Sequence, residues 1–418
     1  MINCFIPFLS LPQARQTVRA LRLCDRIKNI YLLATEKIPG EVEGCSILMI
    51  DSFASTATYR TIALHADTAY TLLYTKYTAF EPGQFAFERL LAIAGDTNAG
   101  MLYADRYQVE SGNRKPAPVI DYQKGSLRDD FDFGSLLFFR SSVLKQAVRA
   151  MDADYRFAGL YDLRLRVSEL SELVHVNEYL YSEVETDTRK SGEKLFDYVD
   201  PKNRAVQIEM ESVCTAYLKR VGGYLAPGFE PISFDVDGFE QEASVNIPVR
   251  NRIRTIEDAI RSVLMQETIF RFNLIIVDNH STDGTSEAIE KYTADKRVIH
   301  LIPERFDLGI GGCWNVGVHH PACGKFAVQL DSDDVYSGPD TLQKIVNAFY
   351  EQNCAMVVGT YRMTDFKMNE IPPGIIDHRE WTLENGRNNA LRINGLGAPR
   401  AFYTPVLRRI NLPNTSYG

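Results

Sequence analysis

Short apolar runs alternate along this chain with stretches whose apolar positions recur at helical spacing. Ile2 to Phe8, Ile30 to Leu33, Ile47 to Ile50 and Ala69 to Tyr74 predict strands, and Leu11 to Leu23 predicts a helix after the first of them. The rhythm restarts at Ala243. Val245 to Val249, Leu274 to Val277 and Phe326 to Leu330 predict strands, with helices over Thr255 to Met265 and after Thr285. This is the pattern of α/β units built on largely parallel sheets. Between the two stretches, Gly222, Gly223, Pro227, Gly228, Pro231 and Gly238 punctuate 222–242 as a linker, and Asn203 to Leu218 predicts a helix closing the first unit. The expected domains are therefore 1–221 and 243–418.

One unit can be laid on the other. Ile6-Pro7 matches Ile247-Pro248, and Met49-Ile50-Asp51 with Ser55 to Thr58 matches Ile276-Val277-Asp278 with Thr282 to Thr285. Leu73 to Tyr77 falls on Gln329 to Asp333. The expectation is a duplicated fold.

Composition narrows the class. With 418 residues and 45% hydrophobic content, the chain supports two or three cores and is neither disordered nor a small disulfide scaffold. A net charge of -8, spread along the length, argues against a general nucleic-acid surface. Seven cysteines without C-x-x-C spacing point to reduced thiols in a cytosol and away from structural zinc. Met1 to Leu11 lacks a basic leader and reads as a first strand, not a signal peptide, and no apolar run reaches the roughly 18 residues a membrane helix needs.

The strongest chemical signal is Leu330-Asp331-Ser332-Asp333-Asp334, three carboxylates directly after a buried strand. Carboxylates at i and i+2 on a turn can share a hard divalent cation that keeps positions open for phosphate oxygens. The alternative is a polar turn ahead of a helix capped by Ser337 and entered by Pro339, yet a cap needs one such residue, not three acids. A second signal is Ile275 to Thr285, where a strand ends in Asp278 at the carboxyl edge of a sheet, the place where open α/β folds bind ligands. A third is the Gly-rich run Asp307 to Gly317. It fails the dinucleotide pattern because Trp314 stands where the third glycine belongs.

With Ile247-Pro248-Val249-Arg250-Asn251, the Val277-Asp278 to Gly284-Thr285 run, Gly309 to Asn315 and Asp331 to Asp334 in this order, Ala243 to about Gly418 resembles the family 2 glycosyltransferases of the GT-A fold. The resemblance implies two tandem GT-A-like α/β units, each a mostly parallel twisted sheet flanked by helices. It implies a sugar-nucleotide donor contacted by Pro248, Val249, Asn251, Asp278, Asn315 and Asp331, with Mg2+ or Mn2+ on Asp331 and Asp333 and Asp334 in support. The family's acceptor-side base, in an E-D pair, is expected just after Gly418, following segments like Gly397 to Phe402 and Leu412 to Gly418. Trp314 departs from the Arg of many relatives and is read either as core or as a stacking face.

The first unit looks like a diverged copy. Asp51 is expected at the nucleoside position, Thr75, Lys76 and Tyr77 replace the metal acids, and Lys76 is a candidate to offset a phosphate charge. Asp162 takes the second place of the E-D pair, either as a relic base or as a surface ion pair with Arg164 and Arg166. Tyr103 to Tyr107 reads as a sugar-lining run or a strand end, Arg128 to Asp132 as metal-like acids or as acids neutralised by their own Arg, and His175, His319 and His320 as hydrogen-bonded or solvated.

The expected activity is an inverting transfer of a sugar from a nucleoside diphosphate donor to a glycan or lipid-linked acceptor, in polysaccharide or cell-envelope synthesis. The expected setting is the cytoplasm, with peripheral membrane contact compatible with it and no nucleic-acid partner. Two rivals stand beside it: a sugar- or nucleotide-binding scaffold without turnover, and a nucleotidyltransferase. Against the last, neither Pro7 to Arg15 nor Pro248 to Arg254 contains the glycine of a phosphate loop.

Overall fold

Strands whose alternate residues are apolar on both sides fold into sheets covered on both faces. In the computed structural model, which describes residues 1–110, 112–184, 203–236, 238–393 and 399–410, this happens twice. The first unit comprises Met1–Leu225 with His378–Gly395, and the second Ala226–Asp377 with Leu396–Gly418.

The first unit begins with β1 (Ile2–Pro7), α1 (Leu11–Arg22), β2 (Ile27–Ala34), β3 (Ser46–Met49), α2 (Thr56–His65) and β4 (Tyr70–Tyr74). It continues through β5 (Phe80–Pro82), α3 (Ala86–Thr97), β6 (Met101–Glu110), β7 (Asn113–Ala117), β8 (Leu136–Arg140), α4 (Ser141–Arg149), α5 (Gly159–Leu170), β9 (Leu173–Val184) and α6 (Arg204–Arg220). Cys4 and Ile6 enter the core on one face of the sheet, whereas Phe5 and Leu33 enter the core on the other. The sheet order is β3-β2-β1-β4-β8-β6-β9-β5, with β7 on β6. The strands β3-β2-β1-β4 are parallel neighbours, and β8 runs antiparallel to both β4 and β6.

The second unit runs β10 (Ala243–Val249), α7 (Ile256–Leu264), β11 (Phe272–Asp278), α8 (Thr285–Glu290), β12 (Val298–Leu301), α9 (Ile310–His319), β13 (Phe326–Gln329) and α10 (Thr341–Gln352). After β14 (Met356–Val358) and the β15 (Tyr361–Thr364) and β16 (Glu370–Ile376) pair, the chain contributes α11 (Asn389–Arg392) to the first unit. It then returns as β17 (Arg400–Tyr403) and α12 (Thr404–Ile410). The main sheet has the order β12-β11-β10-β13-β17-β14. Leu274 and Ile276 face one core, Ile275 and Val277 the other.

The six-strand order of the second unit repeats β3-β2-β1-β4-β8-β6 of the first, including the antiparallel fifth strand. The registers coincide as well: Phe5 pairs with Leu73 as Asn246 pairs with Gln329. Thr75-Lys76-Tyr77 therefore occupies the place of Asp331-Ser332-Asp333. The same topology corrects the placement of Asp51. Asp278 ends β11, second in its unit, whereas Asp51 follows β3, the edge strand that answers to β12. With Pro7 on Leu33 and Pro248 on Val277, the residue in the place of Asp278 is Ala34.

The expected boundaries also change. Ile232 and Phe234 pack on the second core and Tyr403 Oη donates to the Ser233 carbonyl at 3.1 Å, so 226–242 is part of the second unit instead of a free linker. Residues 378–393 belong to the first unit because Arg392, fully buried, bonds Gln207 Oε1 (2.7 Å), Asn389 Oδ1 (2.6 Å) and the Asp129 carboxylate. Arg204 adds an ion pair to Glu380 at 2.9 Å.

Candidate functional site

The order β12-β11-β10-β13 sends the chain outward on one side of β10 and then across to the other, which makes the carboxyl ends of β10 and β13 a topological switch point. At a switch point of this kind the outgoing loops diverge, which is where open α/β sheets form a ligand crevice. Pro248 fits this place: its backbone pairs with Val277 on the β11 side, while the β13 ladder ends two residues earlier, at Asn246. Its missing N–H costs no ladder bond.

The loops leaving β10 and β11 are stitched together. Asn251, at φ 54, donates its N–H to Ser281 Oγ (3.0 Å) and accepts from Thr282 N–H (2.8 Å). The Arg252 N–H donates to Thr285 Oγ1 (2.8 Å) and the Ile253 N–H to the Asp283 carboxylate (3.2 Å). Gly284, at φ 97, turns the chain into α8 in the left-handed region that glycine enters freely.

Asp278 is the anchor of this seam. Its side chain is fully buried; Oδ1 accepts from the Ser281 N–H (3.0 Å), and Oδ2 accepts from the Ser286 hydroxyl and lies 3.5 Å from His300 Nε2. Burial pushes the carboxyl upward, but the nearby His300 ring and the Ser281 and Ser286 donors outweigh it and hold it well below the ordinary range. Both oxygens are thus engaged by protein. These partners fix the carboxylate at the carboxyl edge of the sheet and shape the loop that follows it.

The next residue was not singled out by sequence. The Asn279 N–H donates to the Val249 carbonyl (2.8 Å) and Nδ2 to the Leu308 carbonyl (2.5 Å), while its buried Oδ1 has no partner among the described residues. A buried orphan acceptor at the carboxyl edge of the sheet is the group a ligand N–H would satisfy. Its position directly after Asp278 was the available signal.

Across the crevice, Asp331 is half-buried and accepts from Gln329 Nε2 at 2.9 Å. Asp333 is exposed and lies 3.7 Å from Arg252 Nε, which links the acidic loop to the loop after β10. Asp334 closes a turn by donating its N–H to the Asp331 carbonyl (3.1 Å). Its carboxyl is pushed up to about 6 by desolvation and then by Asp331 and Asp333. Because Asp334 is an exposed residue, repulsion from its two neighbours is the firmer of these causes. Ser337 and Pro339 do not start the following helix, which begins at Thr341 after Asp340.

The donor set here is all hard oxygen, the chemistry of Mg2+ or Mn2+. Oxygens of the three acids do not converge within 4.8 Å as a group of three; among the described residues only Cys24, Asp25 and Glu88, in the first unit, do so.

Asn315 lies half-buried on α9, its carbonyl 2.9 Å from His319 Nδ1. The helix approaches the sheet closely: a Cβ on Gly317 would stand 2.5 Å from Asn246 Oδ1. Trp314 packs edge-on against Phe402 with ring centroids 6.3 Å apart, which places it at the margin of the second core.

In the first unit the matching loop carries different chemistry. Lys76 Nζ lies 2.7 Å from Glu183, which is fully buried and also takes Arg106 Nε at 2.8 Å and the Ser135 hydroxyl. This pairing occupies Lys76, which was expected to be available to a phosphate. Asp162 is buried, not at the surface, and pairs with Arg166 (2.9 Å) and Arg220 (3.8 Å). Arg164 instead donates to the Ser126 and Arg128 carbonyls. The acids of 128–132 separate onto three arginines: Asp129 on Arg392, Asp130 on Arg128 and Asp132 on Arg106. Tyr103 to Tyr107 lies within β6, with Tyr103 buried against His175, whose Nε2 and Nδ1 are 2.9 and 2.8 Å from Asp105 and Asp121. The expected acceptor-side segment Leu412 to Gly418, with Gly397 and Ala398, lies outside the described residues.

The chain is similar to several known proteins. An uncharacterized glycosyltransferase of Rickettsia felis is 38% identical over 97 residues, 23% of this chain and 15% of that protein. A Bacillus subtilis (strain 168) protein named as a teichuronic acid biosynthesis glycosyltransferase, TuaG, is 32% identical over 120 residues, 29% of this chain and 46% of that protein. Among solved structures, S. aureus TarS 1-349 in complex with UDP has a TM-score of 0.33 at 24% identity, over 41% of this chain and 49% of that one. The chain thus spans less than half the length of the curated relatives it matches. The family model for glycosyl transferase family 2 matches residues 244–409, so the segment that carries Asp278, Asp331 and Asp333 is similar to that family.

Proposed function

We propose that the second unit moves a sugar from a nucleoside diphosphate donor to a glycan or lipid-linked acceptor, with inversion, in polysaccharide or cell-envelope synthesis. The observation that carries this reading is the position of Asp331 and Asp333 at the carboxyl end of β13, across the switch point from the seam of Asn251 and Asp278, within the segment similar to family 2. Pro248, Val249 and Asn251 shape the nucleoside side of the crevice, Asn279 offers it an acceptor, and Asn315 borders it from α9.

Asp331 and Asp333 would hold Mg2+ or Mn2+, with Asp334 in support; the ion, when bound, supplies a Lewis acid for the departing diphosphate. The first unit is read as a diverged copy without a metal site. The repeated strand order supports this, as does the replacement of the acids by Thr75, Lys76 and Tyr77 with Lys76 tied to Glu183. We place the protein in the cytoplasm, since all seven cysteines are free thiols, as a reducing compartment keeps them. No helix of the described residues is long and apolar enough to cross a membrane.

Calorimetric titration of UDP and GDP tests this reading, with Mn2+, with EDTA, and with Asp331→Asn and Asp333→Asn. The expected result is binding that needs the ion and is lost in both variants. Absence of nucleotide binding under every condition refutes the donor site.

A further inference from the structure

Arg400 opens β17. The ladder with β13 runs Phe326 to Tyr403, Ala327 to Phe402 and Val328 to Ala401, so the next step sets Arg400 beside Gln329, whose side-chain amide holds Asp331. Strand alternation puts Arg400 on the same sheet face as Phe402, the face that packs on Trp314 of α9, and opposite Ala401 and Tyr403 of the other core.

The guanidinium is poorly provided for. Arg400 is half-buried, its Nε is shielded from solvent without a hydrogen-bond partner, and no carboxylate forms an ion pair with it among the described residues. Burial works against its charge and Asp331 is the neighbouring group that supports it. Arginine nevertheless stays protonated in proteins, so the fold holds a partly desolvated cation whose Nε has no acceptor among the described residues. Such a group destabilises the empty protein unless a ligand brings the anion.

Resting on the donor-site reading above, we propose that Arg400 binds the diphosphate of the donor from the β17 side and shares its charge with the ion at Asp331 and Asp333. The planar fork of arginine matches two phosphate oxygens at once, which a lysine at this place does not. The cation also suits the bond that breaks: as the sugar departs, negative charge gathers on the diphosphate oxygens.

The test is calorimetric titration of UDP, GDP and inorganic pyrophosphate, each with Mn2+, into the full chain and into Arg400→Met and Arg400→Lys. Arg400→Met is expected to bind all three about 10- to 100-fold more weakly, and Arg400→Lys to fall between it and the parent. Without ligand, the Tm of Arg400→Met should equal or exceed that of the parent, because an unpaired charge has been removed. Unchanged diphosphate binding in Arg400→Met overturns the proposal and leaves the donor site standing. A loss for UDP and GDP but not for pyrophosphate also overturns it, since Arg400 would then read the nucleoside. A clear drop in ligand-free Tm in both variants makes Arg400 a structural group and overturns it too. If the parent binds none of the three, the donor-site reading fails first and this proposal with it.

Discussion

His300 Nε2 on β12 stands 3.5 Å from an Asp278 carboxylate oxygen at the end of β11, and the two side chains are 9% and 0% exposed. The pair ties the edge strand to the loop that borders the crevice.

This pair has a pH signature. Contact with Asp278 raises the His300 pKa above its ordinary 6.5 despite burial, and Asp278 is lowered below 3.8. A raised histidine contributes stability that is complete below 6.5 and is lost as pH rises through the folded value; a lowered aspartate contributes stability that is complete above 3.8 and is lost as pH falls. His300→Asn should therefore cost the second unit about 1–2 kcal/mol near pH 5.5 and clearly less near pH 9. Denaturation followed by Trp314 fluorescence in a Trp381→Phe background reads it, since the two tryptophans fall one in each unit. A penalty that does not vary with pH would show that the contact is steric only.

Glu183 holds Lys76 and Arg106 in the first unit while itself excluded from water. Glu183→Leu leaves Lys76 without its anion and Arg106 with Asp132 alone, and the expected loss is about 3–5 kcal/mol. Trp381 fluorescence in a Trp314→Phe background should report it, and adding Arg106→Met should recover part of the loss. Equal stability of Glu183→Leu and its parent would mean that the network is solvated.

Gly159 is where α5 meets the start of α2. A Cβ there would lie 2.6 Å from the Ser55 carbonyl carbon and the Thr56 nitrogen, both backbone atoms, and the Gly159 N–H donates to the Ala54 carbonyl at 2.8 Å. Gly159→Ala must push two helices apart, at about 1–3 kcal/mol. The same Trp381 denaturation curve checks it; a change under a few tenths of a kcal/mol would mean the helices yield freely.

Much of the site could be read from the chain because it is local. The acids 331–334, the turn after Asp278 and the register of Thr75 on Asp331 all follow from strand period and turn chemistry within a few residues. What could not be read is non-local. Asp51 resembles Asp278 because both follow an apolar strand and precede a serine- and threonine-rich turn, and only the sheet order tells a third strand from a second. Asp162 owes its burial partly to Arg220, which comes from a helix 58 positions on, and Asp129 is matched by an arginine 263 positions away. Charge complementarity over such separations leaves no periodic trace.

That last pairing has a consequence for synthesis. The chain passes from the first unit to the second at 225, back at 377 and out again at 395. A ribosome adds about 5–20 residues per second, and domains ordinarily fold in order of emergence. Here the earlier unit stays unfinished, with Asp129 and Gln207 lacking their guanidinium, until Arg392 has been made. By then most of the later unit has already emerged, so the unit that begins first is completed late.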